Sequence, residues 1–519
     1  MTKRLLPLLL LGCAALATCT RSKAPCERSD RGNIASVEPT KATPTVAITA
    51  RPRRQHCMFV LVGKQATVHG ETLMAYNNDW DAANAAFLEV VPHVGHGNHK
   101  VNRYLRLFTY SDVVMGQSHP IYKIGEGGIN EYQVSLLFGV ATTLAAEVYV
   151  NDPARPGGYG LELWDTLLEQ SHTAEEAVTL VSQFAAARGF KAEAFGSFAI
   201  ADPNAIWVIE LLGGTHWVAA RVPDDTFYAQ SNMLRIRQVD LGDSCHYRGS
   251  ADLVAFATAI GRYNPTSGPF DVAWAYGDHS ELTADWNTNR LWRAVTRLSD
   301  LHPAVTMPYA KRPVFVHPNR LLSAADLKAW ARDHYEHTAL DTVTPNYENG
   351  SPHPATACEP DCGWYSTCNT YTDYRAVWEM RSWLPNPIGG LLSLALSRPC
   401  SSTYVPFYAG MTQVPSTWSF RSPSDAFASF RAVADSLDQD GLVAGQSHYQ
   451  HFIPTVQGTW QTYEAQTEAM RPQVEATALA LWSSSEPSAR AYITTFSFTR
   501  AQQAETQAEV LRTTLDSTW

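Results

Sequence analysis

The sequence predicts a layered α+β fold with antiparallel sheets, and three observations lead there. Short apolar runs cluster together, separated by turn residues. Helical stretches fall between these clusters as blocks and do not alternate one for one with strands as βαβ units would. The chain also has the apolar mass for a substantial core: of 519 residues, 45% are hydrophobic and 17% charged, with 15 Trp, 22 Tyr and 19 Phe. That composition excludes global disorder. At about 150 residues per domain, the length fits three domains or one large catalytic body.

The first segment is not part of that body. Lys3 and Arg4 precede an apolar run over 5–11 and small residues up to Ala17, the pattern of a secretory signal over residues 1–19. The run falls short of the roughly 20 residues that span a bilayer. Leu10-Leu11-Gly12-Cys13 has the form of a lipoprotein cleavage box, and Leu16-Ala17-Thr18-Cys19 is a weaker one. The expected location is therefore outside the cytoplasm: periplasmic, extracellular, or held at the envelope by a lipid on Cys13 or Cys19. Residues 20–56 are rich in Ser, Thr, Pro, Arg and Lys without apolar periodicity, so a disordered linker or a removable pro-segment is expected. This stretch ends in Arg51-Pro52-Arg53-Arg54-Gln55-His56. Residues 1–56 carry ten basic and three acidic groups, whereas the remainder carries 30 basic and 47 acidic, a net of −17. A body that acidic repels phosphate backbones, which argues against nucleic acid as a partner.

From Cys57 the pattern turns to strands. Apolar runs at 58–62 and 72–76 flank a His69-Gly70 turn, and runs at 86–94 and 134–140 continue the series. Strands at 198–201, 206–212 and 216–222 form a close antiparallel set, with Asp202-Pro203-Asn204 and Gly213-Gly214 as turns. Helices are expected after Thr173, where Glu176 three residues on completes a capping box and Gly189 closes the end. Others are expected over 252–262, 286–298 and 323–335. After Ser424 the chain is mostly helical, including 459–482 and 501–515. Residues 57–519 are thus one body with a helical C-terminal part.

Nine cysteines need allocation. Cys13 and Cys19 belong to the signal and Cys26 to the disordered stretch. In an exported protein, Cys245, Cys358, Cys362, Cys368 and Cys400 are expected to form disulfides, with one left over. Cys358, Cys362 and Cys368 also have metal-like spacing, but no histidine completes a tetrahedral set nearby in sequence. His93, His96 and His99 lie in a loop and are not expected to bind metal. Gly125-Glu126-Gly127-Gly128 lacks the context of a dinucleotide loop.

Cys57 is different, because a cleavable segment ends where a strand begins. Cutting the bond after His56 would give Cys57 a free α-amine with a pKa of about 7.7–8.0. Such an amine is partly neutral near pH 7 and can take the proton of its own thiol, so one residue supplies nucleophile and base.

The run Cys57-Met58-Phe59-Val60-Leu61-Val62-Gly63-Lys64, with Gly70-Glu71-Thr72 and Asn77-Asn78-Asp79-Trp80, resembles the opening of the PepD-type dipeptidases, cysteine members of the N-terminal nucleophile hydrolase superfamily. Glu126 to Glu131 is similar to that family's Gly-x-Asn-Glu turn. Trp207 to Glu210, Trp217 to Asp225, Ser231-Asn232, His334-Tyr335-Glu336, Arg381 to Pro385 and Tyr404 to Gly410 follow in the family's order, up to about residue 420.

The resemblance implies an αββα sandwich, two antiparallel sheets between helical layers. It also implies hydrolysis of small peptides through a thioester on Cys57, without metal or cofactor. Asp79 stands where the family places a carboxylate that orients the nucleophile's amine. Tyr76 occupies the position of a frequent family Arg. Asn232 matches the side-chain donor to the oxyanion, and a backbone N–H near Val140 is the second donor. Arg290 resembles an active-site arginine, and Asn130 lies in the family turn on the substrate side. Processing is expected through attack of Cys57 on the His56 carbonyl. Two other readings use the same residues: an N-acyl amidase of the penicillin- or bile-acid-cleaving kind, and a surface-binding lipoprotein without catalysis. Homo-oligomerisation is open.

Overall fold

The computed structural model describes residues 57–79, 85–92, 102–111, 122–341, 352–353, 366–419, 425–439 and 442–517. Residues 1–19, expected to be an export signal, residues 20–56, Trp80, the His93-His96-His99 run, Cys358 and Cys362 lie outside the described residues.

The first six strands are β1 (Met58–Val62), β2 (Thr72–Asp79), β3 (Ala85–Val91), β4 (Tyr104–Ser111), β5 (Tyr122–Asn130) and β6 (Ser135–Ala141). After a helical block come β7 (Gly196–Ala201), β8 (Ile206–Leu211), β9 (Trp217–Arg221), β10 (Phe227–Gln230) and β11 (Tyr247–Gly249). A second helical block leads to β12 (Phe315–Val316), β13 (Thr372–Met380), β14 (Gly390–Leu396) and β15 (Val405–Tyr408). They form a seven-stranded sheet in the order β12-β10-β1-β2-β13-β14-β15 and an eight-stranded sheet in the order β11-β9-β8-β7-β6-β5-β4-β3. The pairings within both are antiparallel, which bears out the expected α+β class.

The main helices are α1 (Glu162–Gln170), α2 (Ala174–Ala187), α3 (Asp285–Leu298), α4 (Ala324–Ala331), α5 (Ala426–Leu437), α6 (His448–Trp482) and α7 (Glu486–Asp516). α1 packs on β5 and β6, and α2 on β7 and β8. α4 packs on β13 and β2, and α7 on β15. Between the sheets, β1 touches β6 and β14 touches β5. Covered on both faces, β1 and β13 are buried along their whole length. That is why β1 reads as an unbroken apolar run without alternation. Among the described residues no helix is long and apolar enough to cross a membrane.

Local chemistry sets several boundaries. Thr173 caps α2 by accepting from Glu176 N at 3.1 Å, but the Glu176 carboxylate accepts from His172 N at 2.7 Å. The expected box at Thr173 is therefore half built. A complete box starts α4, where Ser323 and Asp326 serve each other's backbone. This helix ends at Ala331, short of the expected 335. Tyr335 and His337 take positive φ values of 67° and 60° in the loop that follows. At the β6–β7 bulge, a Cβ on Gly139 would stand 1.4 Å from the Ser197 carbonyl oxygen, so only glycine fits.

α6 is bound by charge to β13, to the residue that follows β13 and to the end of α4. Arg471 of α6 pairs with Glu379 of β13 at 2.9 Å, Arg381 with Glu475 at 2.5 Å, and Arg332 with Glu464 at 2.5 Å.

Candidate active site

Cys57 immediately precedes β1 and is 1% exposed. The register pairs Met58 with Asn77 on β2, which brings Cys57 level with Asn78. Cys57 Sγ donates to Asn78 Oδ1 at 3.3 Å. Tyr76, two residues back on the same face of β2, donates its hydroxyl to the same oxygen at 3.4 Å.

The carbonyl of Cys57 accepts from Arg290 Nη1 at 2.8 Å. Arg290 lies on α3, fully buried, and its other two nitrogens are engaged as well. Nη2 donates to Asn232 Oδ1 at 3.1 Å and to Asn287 Oδ1 at 3.0 Å, and Nε donates to the Trp286 carbonyl at 2.7 Å. Burial pushes the Arg290 pKa down, while Tyr335, Asp79 and Cys57 counter it by charge. Asn232 in turn donates Nδ2 to the carbonyl of Ala141, 3.1 Å away at the end of β6 and next to Val140. One hydrogen-bonded chain therefore joins Cys57, Arg290, Asn232 and the end of β6.

The loop that carries Asn232 rests on Glu210 of β8. This carboxylate accepts from Arg235 N at 2.6 Å and from Ile236 N at 3.3 Å. Burial raises its pKa to about 7, opposed by those backbone donors.

Asp79 has a different setting. By strand alternation it shares a face of β2 with Asn77, whose amide donates to it, and lies opposite Tyr76 and Asn78. Asn369 Nδ2 donates to its Oδ2 at 2.7 Å and Thr372 Oγ1 to its Oδ1 at 2.8 Å, with Arg375 3.6 Å away. Burial raises the Asp79 pKa; Arg375, Thr372, Asn369 and Arg290 pull against it.

Asn130 is a correction to the expected substrate contact. It is wholly buried, and its amide donates to the carbonyls of Leu168 and Ser171 at 2.9 and 2.8 Å. Its oxygen accepts from the backbone of Tyr132 and Val134 at 3.0 and 2.9 Å. This turn opens β6 at the end opposite Ala141, about 20 Å along the strand. Asn130 ties the β5–β6 turn to the end of α1 and has no atom left for a substrate.

Sequence reasoning missed Asn78, Asn287, Asn369, Thr372 and Arg375. Asn78 was within reach, since it adjoins Asp79 and faces Cys57 once β1 and β2 are paired. The others come from distant segments and carry no local signature. The cysteine allocation also needs correcting. Cys57, Cys245, Cys368 and Cys400 are not disulfide-bonded, so no disulfide forms among the described residues. Histidines do complete a tetrahedral set: His334, His353, Cys368 and Cys400 bring ligand atoms within 4.8 Å of one another, a group able to hold a metal.

Comparison with known proteins follows from this geometry. The family model for peptidase family C69 matches residues 56–462. A probable dipeptidase of Salmonella dublin is 27% identical over 368 residues, 68% of this chain and 81% of that protein. A dipeptidase of Bifidobacterium longum is 28% identical over 404 residues, covering 69% of this chain and 72% of its own. Dipeptidase A of Lactobacillus helveticus is 25% identical over 397 residues, covering 70% and 78%.

Proposed function

The chain belongs to peptidase family C69 and is a hydrolase of peptide bonds, and from that premise we propose that it is an exported dipeptidase with Cys57 as its N-terminal nucleophile. The names of its relatives support the substrate class. The observation that carries the mechanism is the chain of hydrogen bonds from the Cys57 carbonyl through Arg290 to Asn232.

Maturation begins with Cys57 Sγ attacking the His56 carbonyl. The acyl group shifts from nitrogen to sulfur, and water cleaves the thioester, leaving a carboxylate on His56 and a free amine on Cys57. In turnover that amine takes the thiol proton, and Sγ adds to the scissile carbonyl. The oxyanion accepts from Asn232 Nδ2 and the Val140 backbone N–H. The amine then delivers its proton to the departing amino group, leaving a thioester. A water molecule, deprotonated by the same amine, hydrolyses the thioester and restores Cys57. Arg290 is the positioning group: by holding the Cys57 carbonyl and the Asn232 oxygen together, it fixes the oxyanion donor relative to the sulfur. Asp79 supplies the negative charge that steadies the protonated amine, and Tyr76 shapes the thiol side of the cleft through Asn78.

In this reading the two sheets lie between α1 and α2 on one side and α4, α6 and α7 on the other, as an αββα sandwich. The basic leader over residues 20–56 is the pro-segment, and residues 1–19 direct export.

Intact mass and amino-terminal sequencing of the active protein test the proposal directly. The expected first residue is Cys57, with turnover of dipeptides exceeding that of N-acyl amino acids, penicillins and conjugated bile acids. An enzyme fully active with residue 56 still attached would overturn the mechanism, and preference for acylated amines would overturn the substrate class.

A further inference from the structure

We infer that His334, His353, Cys368 and Cys400 form a structural zinc site, separate from the nucleophile. The four residues come from distant parts of the chain: the loop after α4, residue 353, the loop before β13 and the loop after β14. Their exposures are 4%, 2%, 0% and 1%, so the group is closed to solvent.

The spacing of the ligand atoms is that of a coordination shell. His334 Nε2 is 3.2 Å from His353 Nε2, which is 3.7 Å from Cys368 Sγ and 3.6 Å from Cys400 Sγ. A tetrahedral zinc with bonds of about 2.0–2.1 Å to nitrogen and 2.3 Å to sulfur requires about 3.3 Å between nitrogens and about 3.6 Å between nitrogen and sulfur. The three edges at His353 agree with these values, and all four ligand atoms lie within 4.8 Å of one another.

The orientation of the imidazoles is independent support. His334 turns Nδ1 to Glu336 Oε1 at 2.9 Å, and His353 turns Nδ1 to Asp438 Oδ1 at 3.4 Å. Asp438 is in turn paired with Arg398, and Glu336 also accepts from the His334 backbone N at 2.8 Å. A carboxylate on each Nδ1 orients the ring, and both Nε2 atoms converge on one point beside two sulfurs. A divalent ion on two thiolates and two neutral imidazoles makes a neutral unit, the form in which such charge is buried at least cost. The S₂N₂ set selects zinc over harder cations, and four protein ligands leave no open position for catalysis.

The site adjoins the Asp79 neighbourhood. Cys368 donates its backbone N to the Asp333 carbonyl at 3.0 Å, and the next residue, Asn369, is the one whose amide grips Asp79. The metal thereby fixes the loop that holds this carboxylate.

The test is metal analysis of the full chain, purified without chelators or nickel resin. One zinc per chain is expected. After chelation, added Co²⁺ should give the visible bands of a tetrahedral site together with a thiolate-to-cobalt charge-transfer band. Cys400→Ser should lose about half of that band, and His353→Gln should reduce bound zinc at least tenfold. The measurements on the unsubstituted protein decide the matter if either variant misfolds. A protein that takes up no zinc on exposure to it would overturn the inference. So would a Cys368–Cys400 disulfide found by mass spectrometry, or bound cobalt without a thiolate band.

Discussion

The two faces of β2 serve opposite ends. One face presents Asn78 to the Cys57 thiol at 3.3 Å, with the Tyr76 hydroxyl on the same amide oxygen at 3.4 Å. The other buries Asp79 among Asn77, Asn369, Thr372 and Arg375, with Asn369 at 2.7 Å and Thr372 at 2.8 Å. The thiol proposed as nucleophile thus bonds a side-chain amide through a weak S–H donor, while the carboxylate is held from several directions. A nucleophile must move toward its substrate, whereas a fixed charge serves best when it cannot move. Period-2 alternation on a single strand delivers both.

Substitutions on each face sharpen this contrast. Cys57→Ala should give the largest effect: no detectable peptide hydrolysis and retention of the leader by mass, with an unchanged circular-dichroism spectrum. Asn232→Ala should lower kcat by about 10²–10³ with little change in KM, because it removes a donor needed chiefly in the transition state. A matching rise in KM with kcat intact would assign Asn232 to substrate binding instead.

On the other face, Asp79→Asn sets an amide against the donors of Asn77 and Asn369, leaving one N–H unpaired in a dry pocket. A loss of about 1–3 kcal/mol in denaturant stability is expected, with the far-ultraviolet spectrum preserved. Stability equal to that of the unsubstituted chain would show that the carboxylate is not ionised there.

The smallest effect concerns the support beneath Asn232. Glu210 is raised by burial from 4.5 to about 7, so the folded state prefers it protonated. Its contribution is fully present below pH 4.5 and is lost as the pH rises through 7. Glu210→Gln should flatten that decline, seen as a smaller fall in melting temperature between pH 5 and pH 8.

Much of the fold was legible from local pattern. β1 was read at its observed bounds, and β7, β8 and β9 within two residues, because unbroken apolar runs meet turn residues such as Asp202, which accepts from Asn204 N at 2.6 Å. β13 was not read as a strand, because its buried residues include Arg375 and Glu379. These charges are tolerable only through partners elsewhere, such as Arg471 on α6; against the penalty of burial, Arg471, Arg381 and Lys328 hold Glu379 down to about 2. No window of neighbouring residues contains that information. The same limit hid the Cys₂His₂ group, whose members span residues 334 to 400, and led attention to the locally spaced Cys358, Cys362 and Cys368 instead. Asp79, Asn232 and Arg290 were named by resemblance and Cys57 by its place at the segment boundary as well, while Asn130, also named by resemblance, is a structural tie in its turn.

One feature of the sheet also sets a schedule for synthesis. Asp79 is bonded to Thr372, 293 residues later in the chain, and the helices that cover β13 are translated later still. A chain still emerging from the ribosome has the sulfur but not the carboxylate's surroundings, so it has no finished cleft.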